Sequence, residues 1–207
     1  MEQEIIGWRR YFHENPELGL ELPKTAAKVQ EELKKMGVRF RPCGQSGVLG
    51  YIGKEGGKSI LLRGDMDALP LTEDTGLPYA SQCPGKMHAC GHDGHMAIAL
   101  ELARRLNEKK TLPHNVLIVF QPAEETTGGA KALCQTGVFD RYKVEAIFGL
   151  HLWPGLPEGQ IASRAEEMMA RSCEVKVDVL GRSAHIARAE EGLDALEAGA
   201  EFYLRAL

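Results

Sequence analysis

The 207-residue chain lacks a long apolar run, a strong charge of one sign and a paired set of cysteines. No stretch approaches the roughly 20 apolar residues that cross a bilayer. The amino-terminal MEQEIIGWRRYFHENPE is amphipathic and charged, without the apolar core of a signal peptide. Lys and Arg total 25 against 29 Asp and Glu, a formal net charge of −4, which leaves no electrostatic footprint for nucleic acid or an anionic membrane surface. The cysteines at 43, 83, 90, 134 and 173 are odd in number and scattered, with no CxxC pair. That usage fits a reducing cytosol better than a disulfide framework. Internal repeats and low-complexity linkers are absent as well. The expectation is a soluble cytoplasmic protein with neither nucleic acid nor membrane as partner. Its length allows one domain, or one domain and part of another.

Ligand-forming side chains, by contrast, are crowded into one place. Residues 88–95 read His-Ala-Cys-Gly-His-Asp-Gly-His, holding three of the seven histidines, where composition predicts about 0.3 in such a window. Thiolate, imidazole and carboxylate are the groups that hold Zn²⁺ and related ions. The segment alone points to a metal, against the lesser alternative of a polar loop and helix cap with a chance cluster of His.

Hydrophobic spacing predicts a helix over 2–14, with Ile5, Trp8 and Phe12 on one stripe and Pro16 as its stop. A second runs from Pro23 to about Met36, capped by Gly37, with Val29, Leu33 and Met36 inward. Strands are expected at 48–52 and 59–63 on either side of a Lys-Glu-Gly-Gly turn, at 115–121 and at 145–150. Between them lie helices near 94–107, with Ile98, Leu102 and Leu106 on one side, and near 129–135. Short continuous apolar strands alternating with helices argue for an α/β fold, a mostly parallel sheet sandwiched by helices. From about residue 173 the pattern changes. Residues 174–179 alternate strictly, as a strand with one wet face does, and a helix is expected from about Glu190 with Leu193, Leu196, Ala200, Tyr203 and Leu207 in register. One strand and one helix cannot bury a core, so 173–207 reads as the start of a second, α+β domain and 1–172 as the first.

In open α/β sheets, sites form beyond the carboxyl ends of the strands. Four segments fall at such ends or at the following helix start: Asp65 and Asp67, Cys90 and His92, Glu124 and Glu125, and His151. Each has an ordinary reading by itself. Asp at a strand end forms turns, paired glutamates suit a helix start, and a His between apolar residues is commonly a bonded core residue. Their convergence on one sheet points instead to a metal centre. Cys90 is a soft ligand able to bridge two ions, His92 and His151 offer imidazole nitrogens, and one glutamate supplies a hard oxygen. The other glutamate is then free to act as a general base. Asp67 is placed to orient a ligand imidazole. Asp93 reads as a helix cap, and His88 and His95 as at most indirect participants.

Six ordered blocks (RRYFHENPELGLEL, LLRGDMDALPLTEDTGLPYAS, GKMHACGHDGHMA, VFQPAEETTGGAKAL, GLHLWPGLPEGQIASR and GRSAHIARAEEGLDAL) together resemble the M20 metallopeptidase family, and within it the amidohydrolase branch of hippurate, N-acyl-amino-acid and indoleacetyl-amino-acid hydrolases. The resemblance implies a catalytic domain of the zinc-peptidase type followed by a lid and dimerisation domain. It implies two divalent ions, Zn²⁺ or Mn²⁺, on Cys90, His92, Glu125 and His151, with Glu124 as general base and a small N-acyl amino acid as substrate. It further implies that His185, on the lid, helps hold the carbonyl oxygen in the transition state, and that the full-length protein is a homodimer. Relatives are close to twice as long and carry a final histidine ligand near the carboxyl end, whereas His185 is the last His here. The 207-residue chain is therefore expected to be an amino-terminal fragment and inactive by itself, with weakened metal occupancy and open sheet edges. Ala189 and Glu166-Glu167 stand where relatives usually have Pro and Gly-Pro. The competing readings are a dipeptidase or aminopeptidase of the same fold, and a non-catalytic metal-binding protein.

Overall fold

A computed structural model describes residues 2–54, 56–126, 128–169 and 175–206. The chain divides into two compact units, Met1–Gly155 and Leu156–Leu207. The boundary expected at 172/173, together with Cys173, Glu174 and Leu207, lies outside the described residues.

The first unit begins with two helices, α1 (Glu2–Glu14) and α2 (Pro23–Lys35). Strands β1 (Arg39–Pro42), β2 (Val48–Ile52) and β3 (Ser59–Asp65) follow. Next come α3 (His92–Asn107), β4 (Asn115–Gln121), α4 (Gly129–Gln135), the single turn α5 (Val138–Arg141) and β5 (Val144–Gly149). The sheet order is β1-β2-β4-β3-β5. The three expected crossover strands are parallel, Leu61 lying opposite Leu117 on one side and Ile147 on the other. The two remaining pairings are antiparallel, β1 with β2 and β2 with β4. The sheet is thus mixed, with a hairpin at one edge: β1 and β2 are joined by a short turn, which cannot connect parallel neighbours.

Alternation along β4 splits the core in two. Val116, Ile118 and Phe120 point to α1–α3 and pack with Trp8, Phe12, Val29, Leu33, Met96 and Leu100. Leu117 and Val119 point to the other face, against Leu133 and Val138 of α4 and α5. Helices therefore cover both faces, as expected. Helix α3 departs from the expected stripe: Ile98, Leu102 and Leu106 are only half-buried, while Met96, Ala97, Ala99, Leu100 and Ala103 are buried. The small alanines let α3 approach the sheet, and Gly64 on β3 lies under Ala99, whose Cβ would be 3.4 Å from a Cβ placed there. β5 also departs from expectation. It is the edge strand opposite β1, and Ile147 and Phe148, on opposite faces, are 57% and 55% exposed.

The second unit has no buried residue among those described. Residues 175–179 form no strand and are exposed, because an isolated extended segment without a partner has no ladder to join. An antiparallel bridge between Arg182 and Leu193 encloses a 3₁₀ turn, Ile186–Glu191. Helix α6 (Ala195–Ala206) begins later than the expected Glu190. Its amino end is capped by Asp194, whose Oδ1 accepts the N–H groups of Leu196 (2.8 Å) and Glu197 (3.1 Å).

Candidate metal centre

The carboxyl ends of β3, β4 and β5 and the first turn of α3 bring the expected ligands together. Three sets of side chains each place their donor atoms within 4.8 Å of one another: Cys90, His92 and His151; His92, Glu124 and Glu125; and Asp65, His92 and His95. His92 is common to all three.

The tautomer of His92 follows from its surroundings. Its Nδ1 lies 2.7 Å from the Asp67 backbone carbonyl, an acceptor only, so Nδ1 carries the proton and Nε2 presents a lone pair. That Nε2 is buried without a hydrogen-bond partner, and so is Glu125 Oε1, 3.7 Å away. Buried polar atoms of this kind are costly unless something else satisfies them. His151 is set the same way: Nδ1 donates to the Leu152 carbonyl (2.7 Å). Its free Nε2 sits 3.3 Å from Cys90 Sγ. A thiol, two imidazole lone pairs and a carboxylate oxygen facing inward suit a divalent ion of the zinc or manganese kind. Burial, then the neighbouring Glu125 carboxylate and the charges of Glu124 and Asp65, push the Cys90 thiol up to about 12. A bound cation reverses that balance, since a coordinating thiol is deprotonated outright.

Asp67 acts through two different groups. Its carbonyl orients His92, whereas the carboxylate, expected to do so, stands 3.8 Å from Nδ1. Its carboxylate oxygens accept the backbone N–H of Glu124 (2.8 Å) and Glu125 (3.0 Å). The glutamate turn is further shaped by Ala123 at φ +53°, an uncommon conformation for a residue with a Cβ. Gly129 completes it: a Cβ there would lie 1.9 Å from the Pro122 carbonyl oxygen. With their amides held by Asp67, the two carboxylates diverge in exposure, Glu124 at 38% and Glu125 at 19%.

Two residues given little weight in the sequence belong to the same centre. Asp65 is buried and accepts from His95 Nδ1 (2.6 Å) and Arg63 (2.5 Å), with Oδ2 3.6 Å from His92 Nε2. Burial alone would raise its pKa. The His95 hydrogen bond, with electrostatic attraction to the neighbouring His92, Arg63 and His95 side chains, outweighs it and holds the group at about 2. His95 Nε2 in turn accepts the Leu152 N–H (2.9 Å), so Arg63, Asp65 and His95 form a strut under the segment that carries His151. The signal was present: Asp65 and Asp67 share one face of a strand end, and His92 and His95 are three apart on a helix.

Asp93 is not the cap of α3. That position falls to Gly91 at φ +89°, and the Asp93 carboxylate binds His13 Nδ1 (2.7 Å) and Arg9 (2.9 Å). The other ring nitrogen of His13 meets Glu73 at 3.1 Å. His88 is buried close by with neither ring nitrogen partnered, and burial lowers its pKa to about 4. Asp93, followed by the smaller opposing effect of burial and then by Glu73, raises the His13 pKa above 6.5. A raised folded value stabilises the protein below the unfolded pKa and is lost as pH rises through the folded one. Thermal stability is accordingly expected to decline from pH 6.5 upward, and in His13→Gln that part of the pH profile should flatten. His185 lies in the second unit, exposed, its Nδ1 accepting the Ala187 N–H at 3.2 Å.

Residues 61–206 match the profile of peptidase family M20/M25/M40. The chain belongs to that family. Among its relatives, an IAA-amino acid hydrolase of Arabidopsis thaliana is 44% identical over 92% of this chain and 43% of its own. A dinuclear metal binding peptidase of the M20 family from Bacillus subtilis superposes with a TM-score of 0.71, at 40% identity, over 75% of this chain and 44% of that one. A crystal structure from methicillin-resistant Staphylococcus aureus superposes with a TM-score of 0.82, at 34% identity, over 99% of this chain and 55% of that one. The chain spans about half the length of the curated relatives it matches. No helix among the described residues is long and apolar enough to cross a membrane.

Proposed function

We propose that this chain carries most of the dinuclear metal centre of an amidohydrolase that cleaves N-acyl amino acids, acting in the cytoplasm. The observation that carries the reading is the pair of buried, unpartnered atoms His92 Nε2 and Glu125 Oε1 facing each other beside the Cys90–His151 pair. Cys90, His92, Glu125 and His151 would hold the ions. Ions held there would supply Lewis acidity, lowering the pKa of a bound water and polarising an amide carbonyl.

The remaining chemistry belongs to side chains. Glu124 is the more exposed glutamate, with Oε2 3.7 Å from His92 Nε2. It is the group to take the proton from the attacking water and pass it to the leaving amine. Asp67 fixes the two glutamates, and the Asp65–His95 strut fixes His151. The roles of His185 at the substrate carbonyl, and of residues from 173 onward in a lid and homodimer, rest on family resemblance. An IAA-amino acid hydrolase among the relatives favours an N-acylated substrate over a dipeptide with a free amine.

Cobalt(II) titration tests the centre. A thiolate-to-cobalt charge-transfer band is expected to grow in with added metal and to vanish in Cys90→Ser; its absence from the unsubstituted chain would remove the metal reading. A panel of N-acetyl amino acids against unblocked dipeptides, run on a chain extended to its relatives' length, tests the substrate class. Preference for dipeptides would make the protein a peptidase instead.

A further inference from the structure

A cavity lined by arginines and tyrosines lies away from the metal centre. It measures about 340 Å³ and is lined by Arg39, Arg41 and Arg141 around Tyr51 and Tyr142. The register places it on the α4–α5 face of the sheet. Arg39 lies opposite Tyr51, and Arg41 opposite Leu49, which packs into the core on that face. Tyr142 and Arg141 precede the amino end of β5, whereas the metal centre stands at the carboxyl ends of the strands.

Among the described residues, no carboxylate pairs with the three arginines at this cavity. Arg39 sits 4.6 Å from the Tyr51 ring centre, and Arg41 and Arg141 sit 5.4 and 5.8 Å from that of Tyr142. The two rings are 5.4 Å apart. Arg39 donates to the Gly53 carbonyl (2.7 Å), but Arg41 Nε is buried with no partner at all. No carboxylate lines the cavity among the described residues, in a chain where acidic residues outnumber basic ones 29 to 25. Arg63, Arg104 and Arg105, by comparison, are each paired with a carboxylate. Three like charges gathered on two tyrosines repel one another, and contact with ring faces offsets little of that at exposed sites. An oxyanion satisfies them far better, because guanidinium binds carboxylate and phosphate oxygens through paired, charge-assisted hydrogen bonds.

We propose that this cavity is a binding site for a small oxyanion, a phosphate or carboxylate group, held by Arg41 and Arg141. The Arg41 Nε–H supplies one donor, and the tyrosine rings keep the guanidiniums facing inward.

The test uses metal-free protein, so that phosphate has no cation to bind. Inorganic phosphate is titrated at ionic strength matched with chloride, following the arginine Nε–H resonances by NMR. A saturable shift of the Arg41 Nε–H is expected, with acetate competing if any oxyanion is accepted and failing to compete if the site is restricted to phosphate. Loss of one charged hydrogen bond in Arg41→Gln or Arg141→Gln should weaken binding about tenfold. Arg141 is exposed and its guanidinium makes no hydrogen bond to the described residues, so Arg141→Gln carries the test should Arg41→Gln fail to fold. A shift no different from that in chloride, or unchanged affinity in the folded variants, overturns the proposal.

Discussion

Glu124→Gln is expected to lower kcat/KM for an N-acyl amino acid by about 10²–10⁴-fold, the usual worth of a positioned general base, while metal stoichiometry stays unchanged. The substitution keeps the size and shape of the side chain and removes its ability to take up a proton. Metal binding should survive because Glu124 is not the buried glutamate. Both carboxylates reach within 3.7 Å of His92 Nε2, but Glu124, at 38% exposure, is open to solvent, while Glu125, at 19%, holds a buried oxygen there with no hydrogen-bond partner. Glu125→Gln should therefore behave in the opposite way, losing metal first and rate as a consequence. The metal arm can be read on this chain by cobalt titration, and the kinetic arm on a chain extended to its relatives' length. Loss of metal in Glu124→Gln with a purely kinetic defect in Glu125→Gln would exchange the two roles.

The division of labour between those glutamates could not be read from their adjacency in the sequence. It depends on which backbone amide meets which Asp67 oxygen, a contact spanning 57 and 58 positions. The same limit explains the other departures. β2, β4 and α4 have the expected bounds because run length and flanking Gly or Pro mark them locally. β1 (Arg-Phe-Arg-Pro) has no such mark and becomes a strand only by pairing with β2. Asp93 has the composition of a cap, but its carboxylate is claimed by His13, 80 positions away. Residues 175–179 show the reverse: strong alternation without a neighbouring strand yields exposed, irregular chain. Local pattern locates elements and ligand types, whereas hydrogen-bond partners and tautomers are set by long-range packing.

Asp67→Ala is expected to reduce two-ion binding to one. The carboxylate is fully buried, and burial raises its pKa although the Glu124 and Glu125 amides pull the other way. A charge is tolerated there only because both oxygens accept a backbone N–H. Removing it leaves two donors unpaired, at about 1–3 kcal/mol each for a buried group; both bonds are partly buried, which favours the lower end of that range. The His92 tautomer, by contrast, is held by the Asp67 backbone carbonyl, which alanine retains. Cys90, His92 and His151 should therefore stay in place while the Glu124–Glu125 turn loosens. Orienting partners of this kind are worth about 10–100-fold in metal affinity, and the loss should fall on the ion that relies on Glu125. In a cobalt titration of a chain extended to its relatives' length, the thiolate charge-transfer band should persist in Asp67→Ala while the stoichiometry drops from two to one. Asp67→Asn, which keeps one acceptor but turns an NH₂ toward the other amide, should lie between. Two ions bound to Asp67→Ala with unchanged affinity would show that the carboxylate does not position the glutamates, and loss of the band would show that His92 depends on the side chain after all.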